Sequence, residues 1–300
     1  MAAIFPARIG PLTRLTGDMF KEIVSVAKIV TRSVAPGVTL KIRPDDTFLV
    51  SYPKSGNTWM RFLIANLMQQ NPPVGLLDAD DLIPIVDGKS KKFFDSMKSP
   101  RIIKSHFSLI PAYKRVIYVV RDPRDVVLSQ YHYQVKRGVL KKDASLDNYV
   151  QSFIKGEVCP YGSWGENVGS WFSTRRDDPN FLLVRYEDML ADVTSGAVQI
   201  SNFLGLGGDA NRIAMAVERS SLENMRKVEK AEGKKWDSTK GTRQEISFFR
   251  SAKSGEGRAK LSRQSIEQIE RAWGPLMQSV GYSVSTTDEV EALGAVPFAS

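Results

Sequence analysis

The chain has 300 residues, 42 of them Lys or Arg against 33 Asp or Glu, for a net charge of +9, and 42% of its residues are hydrophobic. That excludes a peptide-sized scaffold and leaves an ordinary globular protein of one large domain or two smaller ones, able to bury a full core without staples. The single Cys159 cannot form an internal disulfide, so a reducing, cytoplasmic setting is the expectation, and two histidines with one cysteine are too few for a His/Cys metal cage.

The first predicted element is an amphipathic helix. Phe20, Ile23, Val24, Ala27, Val30 and Val34 recur at helical spacing between Asp18, a candidate N-cap, and a stop at Pro36-Gly37. Lys21, Glu22, Lys28 and Arg32 make it too polar to cross a bilayer, and Arg8, Arg14 and Lys21 break up any signal-peptide core. It reads as a helix packed on the domain or a partner, with contact to a membrane surface as the alternative. The expected organisation is an extension over 1–45, a domain over 46–283 and a tail over 284–300.

From residue 46 short apolar runs alternate with amphipathic segments, which predicts an α/β domain with a mainly parallel sheet and helices on both faces. Strands are expected at Thr47 to Tyr52, Arg101 to Lys104, Arg115 to Val120 and Phe181 to Arg185. Helices are expected at Asn57 to Gln70, Pro123 to Gln134, Glu187 to Phe203, and Gln264 to Ser279 with a kink at Gly274-Pro275. Residues 71–100 and 230–257 read as long loops, and the GLGG at Gly205 as a helix stop rather than a dinucleotide fingerprint.

Four segments carry chemistry. In SYPKSGNTW, Ser51 to Trp59, a strand runs into Pro-Lys-Ser-Gly and then a helix, so the N–H groups of Gly56, Asn57 and Thr58 and the Lys54 ammonium suit an anion. The lysine precedes the only glycine, which is not Walker A spacing and argues against ATP and GTP. In VVRDPRDVVLSQYHY, Arg121 ends a strand and Ser129 lies two turns into the next helix, so both can reach the carboxyl edge of the sheet and a second phosphate. His132 beside two tyrosines reads as structural. In IIKSHFSL, His106 follows a strand end, where a neutral imidazole can take a proton from a hydroxyl. In FFRSAKSGEG, Arg250 and Lys253 can close over a phosphate.

Together these segments, with YGSW at Tyr161 to Trp164 and VRYEDM at Val184 to Met189, resemble the cytosolic-type sulfotransferases that use 3′-phosphoadenosine-5′-phosphosulfate (PAPS), over about Thr47 to Tyr282. The resemblance implies a P-loop-like three-layer αβα fold and sulfuryl transfer to an acceptor hydroxyl on a small molecule, lipid or glycan, with no metal and no nucleic acid partner. It implies that Lys54 and the backbone of Ser55, Gly56, Asn57 and Thr58 hold the 5′-phosphate side, with Lys54 neutralising the leaving phosphate. It places Arg121, Ser129 and Arg250 at the 3′-phosphate, with Phe249, Ser251 and Ala252 from the same late loop. Trp59 and Tyr186 would flank the adenine, and Ser220 stands where the family usually has threonine. His106 would be the base, Lys104 its assistant at the transferring group, and Ser129 is counted with the catalytic set.

The chain departs from the family in three places. The late motif, normally RKGxxGDW, reads RSAKSGEG, with Ser251 for the second basic residue and Gly257 for the tryptophan. Leu222 replaces an aromatic residue beside the adenine, and Lys260 to Glu270 does not match the family's dimer motif KxxxTVxxxE. The alternatives to a sulfotransferase are a P-loop-type kinase and a non-catalytic nucleotide-binding protein.

Overall fold

The computed structural model describes residues 40–285, so the amphipathic segment at 18–34 and most of the proposed tail lie outside the described residues. In chain order the elements are β1 (Thr47–Ser51), α1 (Asn57–Met68), α2 (Leu76–Leu82), α3 (Lys91–Ser96), β2 (Ile102–Ser105), β3 (Arg115–Val120), α4 (Pro123–Lys136), α5 (Leu146–Ile154), α6 (Trp164–Arg175), β4 (Phe181–Arg185), α7 (Tyr186–Ala191), α8 (Val193–Leu204), α9 (Ala210–Arg219), α10 (Leu222–Glu232), α11 (Glu256–Lys260) and α12 (Arg263–Ser279).

The four strands form one parallel sheet in the order β2-β1-β3-β4. Side chains alternate across it with the strand period of two, and each face feeds its own core. Phe48, Val50, Tyr118 and Val120 pack with α4, α5, α6 and α12 on one side, and Leu49, Ile117, Val119 and Val184 with α1, α8 and α9 on the other. Parallel strands buried on both faces need apolar residues at nearly every position, which is why the strands read as unbroken apolar runs. The chain leaves β1 toward β2 on one side while β3 lies on the other, and that reversal opens a crevice at the carboxyl ends of β1 and β3.

Several expectations need correction. Residues 71–100 are not a loop throughout but hold α2 and α3, and an isolated bridge joins Ile85 to Lys104 of β2. The signal for α2 is long-range: the Glu232 carboxylate, at the end of α10, accepts the Leu76 and Leu77 N–H groups at 2.7 and 3.2 Å. The predicted helix over Glu187 to Phe203 is two helices. Asp192 ends α7 and caps α8 by accepting the Ser195 N–H at 2.9 Å. α12 spans the expected helix as one element, with Pro275 inside it. Gly205, at φ 73°, does stop α8.

The lower end of the sheet is pinned by a charge pair with no exposed side-chain surface. Arg101 binds Asp46 through Nε at 2.7 Å and Nη2 at 2.5 Å, and its remaining donors reach the Phe94 and Lys41 carbonyls. Asp46→Ala strands that guanidinium in the core and is expected to cost about 3–5 kcal/mol. Asp95→Ala, which breaks an exposed pair with Lys91, is expected to leave the urea midpoint nearly unchanged.

Candidate active site

Each strand delivers one group to the crevice. β1 runs into the loop carrying Lys54, β2 ends just before His106, β3 just before Arg121, and β4 just before Tyr186. These residues line one cavity of about 1240 Å³ together with Gly56, Asn57, Thr58, Trp59, Lys104, Ser129, Ser220, Phe249, Arg250, Ser251 and Ala252. Of the residues singled out for a phosphate, Ser55 and Lys253 do not line it: the Ser55 N–H donates to the Tyr52 carbonyl at 3.3 Å and its side chain is buried, and the Lys253 side chain is exposed.

The loop after β1 turns through two residues of left-handed backbone, Lys54 at φ 68° and Gly56 at φ 98°. Glycine is required at 56 twice over, since a Cβ there would also lie 2.4 Å from the Tyr186 ring. The turn aims the first N–H groups of α1, which have no intrahelical partner, at the cavity. Lys54 Nζ sits between two aromatic faces, 4.2 Å from the Tyr133 ring centroid and 4.1 Å from that of Phe248. Burial, with Arg121, Arg250 and Lys104 close by, lowers its pKa to about 7. Lys104 is likewise lowered to about 7, by burial and then by Arg61.

His106 is oriented by backbone. Its Nδ1 lies 2.7 Å from the Ser51 carbonyl, and a carbonyl can only accept, so Nδ1 carries the proton and Nε2 is the basic nitrogen. Asn57 donates to the Ser51 hydroxyl at 3.1 Å, and Asn167 donates to the His106 carbonyl at 2.9 Å. Burial, reinforced by Lys104, holds the imidazole well below the usual histidine pKa, so it is neutral at pH 7.

Arg121 packs over the Tyr186 ring at 4.3 Å, donates to the Lys253 carbonyl at 3.0 Å and lies 3.6 Å from Asp125. Asp125 also accepts the Gly255 and Gly257 N–H groups at 2.9 and 2.6 Å, which ties the late loop to α4. In that loop Ser251 Oγ donates to Glu256 at 2.5 Å, and Arg250 stands 3.7 Å from the same carboxylate. Lys253 contributes its carbonyl rather than its exposed ammonium. Glu229 fastens the strap from outside by accepting the Phe248 and Phe249 N–H groups at 2.6 and 3.2 Å. The sequence offers Asp125 only as a possible ion-pair partner of Arg121, and it gives no sign of the roles of Glu229 and Glu256. Asp125 carried a signal, standing four residues after Arg121 on a helix, whereas the other two act across turns that no local pattern reveals.

Trp59 meets Tyr186 edge-on at 5.6 Å and donates to the Ser220 carbonyl at 3.1 Å, forming an aromatic wall beside the loop. Among the described residues Asn57 Oδ1, Arg121 Nε and Ser220 Oγ are buried polar atoms with no protein partner. Two groups of cations flanking an aromatic wall and orphaned polar atoms fit an adenosine carrying phosphate at both ends.

An anion entering this cavity restores the charge of Lys54 and Lys104. Both are about half neutral near pH 7 without it, so binding of a bisphosphate at pH 8 is expected to take up protons, and affinity to fall as pH rises from 7 to 9. Calorimetry in two buffers of different ionisation enthalpy measures that uptake directly.

The sulfotransferase domain family matches residues 44–281. Sulfotransferase 2A6 of Rattus norvegicus is 34% identical over 197 residues, which cover 62% of this chain and 68% of the relative. The 3-beta-hydroxysteroid sulfotransferase of Cavia porcellus is 32% identical over 200 residues, covering 63% and 68%. Among solved structures, mouse sulfotransferase SULT7A1 complexed with PAP matches at TM-score 0.62 and 25% identity over 80% of this chain and 87% of that one. Retinol dehydratase in complex with androsterone and inactive cofactor PAP matches at TM-score 0.68 and 19% identity over 85% and 87%, a likeness of fold. With a parallel α/β sheet, a phosphate-type loop and a family match across most of its length, the chain belongs to the sulfotransferase family and is a sulfotransferase.

Proposed function

We propose that the domain over 46–283 transfers the sulfuryl group of PAPS to an acceptor hydroxyl, with His106 as the general base. The observation that carries this is the fixed tautomer of His106: a neutral imidazole, locked through Nδ1 by the Ser51 carbonyl, at the wall of a cavity shared with Lys54 and Lys104. The PAP in the mouse relative supports the choice of nucleotide.

PAPS, when bound, supplies an activated sulfuryl group with a phosphate as leaving group. His106 Nε2 takes the proton from the acceptor hydroxyl as it attacks. Lys54 would offer its ammonium to the leaving phosphate oxygen and Lys104 would stand by the transferring group, so charge moving from acceptor side to leaving side would meet a cation at each stage. Arg121, Ser129 and Arg250 would hold the 3′-phosphate, and Trp59 and Tyr186 would flank the adenine. Catalysis of this kind is alignment and charge stabilisation, which is why one base and several cations suffice.

His106→Asn keeps a polar side chain and removes the base. It is expected to lower kcat by roughly 10²–10⁴-fold while leaving the thermal shift produced by PAP unchanged. Undiminished turnover in that variant would remove His106 from the mechanism.

A further inference from the structure

The strap over 247–252, which carries Phe248, Phe249 and Arg250, is tied to α4 on either side of itself. Before it, Lys136 donates to the Arg243 and Ile246 carbonyls, and after it, Asp125 accepts the Gly255 and Gly257 N–H groups. In between, among the described residues, the hydrogen bonds that reach the strap's backbone from outside come from two side chains of α10, one turn apart. Glu229 accepts the Phe248 and Phe249 N–H groups and also the Ser247 hydroxyl, the last at 2.8 Å. Arg226 donates through Nε to the Phe249 carbonyl at 3.0 Å and through Nη2 to the Arg250 carbonyl. A carboxylate holding N–H groups beside a guanidinium holding carbonyls, all of these bonds charge-assisted, favours a single register of the strap.

That register shapes the cavity. It sets the Phe248 ring 4.1 Å from Lys54 Nζ, lays the Phe249 ring along Trp236 at 6.2 Å and 13°, and brings Arg250 to the cavity wall. The helix that does the holding is itself fixed: Met225 is buried in the core, Leu222 lines the cavity, and Glu232 binds the N–H groups of α2. Arg226 and Glu229 do not line the cavity, so neither is placed to touch a nucleotide in it.

We propose, resting on the sulfuryl-transfer reading above, that Arg226 and Glu229 are positioning residues which, acting through the strap, set the affinity for a nucleotide carrying a 3′-phosphate. Arg250 reaches the cavity only because the strap puts it there, whereas Arg121 follows β3 and Ser129 stands on α4. A loosened strap therefore costs a bisphosphate more than a monophosphate. The sign of the effect separates this role from plain electrostatics. Removing a carboxylate near a polyanion site strengthens binding where charge alone acts, but removing Glu229 weakens it where the carboxylate acts by holding the strap.

The test titrates the full chain with PAP and with 5′-AMP at pH 6, below the Lys54 pKa of about 7, and follows amide hydrogen exchange in the strap. Glu229→Gln is expected to weaken PAP by roughly tenfold, to weaken 5′-AMP by less, and to speed exchange at the Phe248 and Phe249 amides. Arg226→Lys keeps the charge and loses the guanidinium fork, and should move the same readouts in the same direction. Residue 226 is exposed, so that variant covers a Glu229→Gln protein that fails to fold. Glu223→Gln removes another exposed carboxylate of α10, paired with Lys227, and should leave them unchanged. Unchanged or tighter PAP binding in Glu229→Gln, an equal loss for PAP and 5′-AMP, the same loss in Glu223→Gln, or undiminished protection of the strap overturns the proposal. A wild-type protein that binds no PAP overturns the sulfuryl-transfer reading, and the proposal with it.

Discussion

Gathering positive charge out of water is the constraint around which the molecule is built. Lys54, Lys104, Arg121 and Arg250 line one cavity, and each loses solvation while repelling the others. The folded state holds them because three of the four stand on strand ends or the loop beyond one, and those strands are sealed between two apolar layers. Carboxylates stand behind the cations at loose distances: Asp125 behind Arg121 and Glu256 behind Arg250, at 3.6 and 3.7 Å. Such pairs soften the repulsion without consuming the guanidinium, so a phosphate can still improve on them. The arrangement trades stability for readiness to bind an anion.

The same carboxylates explain how an altered late loop keeps its shape. Ser251, where the resemblance implies a basic residue, has its hydroxyl bound to Glu256, and the loop is sewn to α4 through Asp125 and to α10 through Glu229. Shape is therefore set by carboxylates accepting backbone N–H groups, while charge is supplied by Arg121 and Arg250. The two tasks fall to different residues.

The sheet was legible because parallel strands buried on both faces leave apolar runs, and all four appear where Thr47, Ile102, Arg115 and Phe181 open such runs. Lys54, His106 and Arg121 were readable as candidates for a related reason, since they follow strand ends, where a parallel sheet delivers its ligand groups, whereas Tyr186 came from the resemblance alone. Helix α2 carries a local cap, Asp78 accepting the Gly75 N–H, but its other N–H partner, Glu232, comes from α10, 156 residues along the chain from Leu76, which no local pattern reveals. The tautomer of His106 was hidden as well, since it depends on the Ser51 carbonyl, a backbone atom on a neighbouring strand that any residue would have supplied. The split at Asp192 was readable in principle: Asp followed three positions later by Ser is a cap pattern, outweighed by the apolar periodicity that continues on either side of it.

Gly257 sets how closely the late loop approaches α4. A Cβ at that position would lie 2.3 Å from the Arg124 backbone, because α11 rests directly on α4 and the Gly257 N–H reaches Asp125. Any side chain at 257 would therefore have to move the two helices apart at the Arg124 backbone. Residue 257 is thus a spacer: with no side chain there, α11 and α4 meet backbone to backbone, and the size of that one residue sets how closely the late loop can sit on the helix below it.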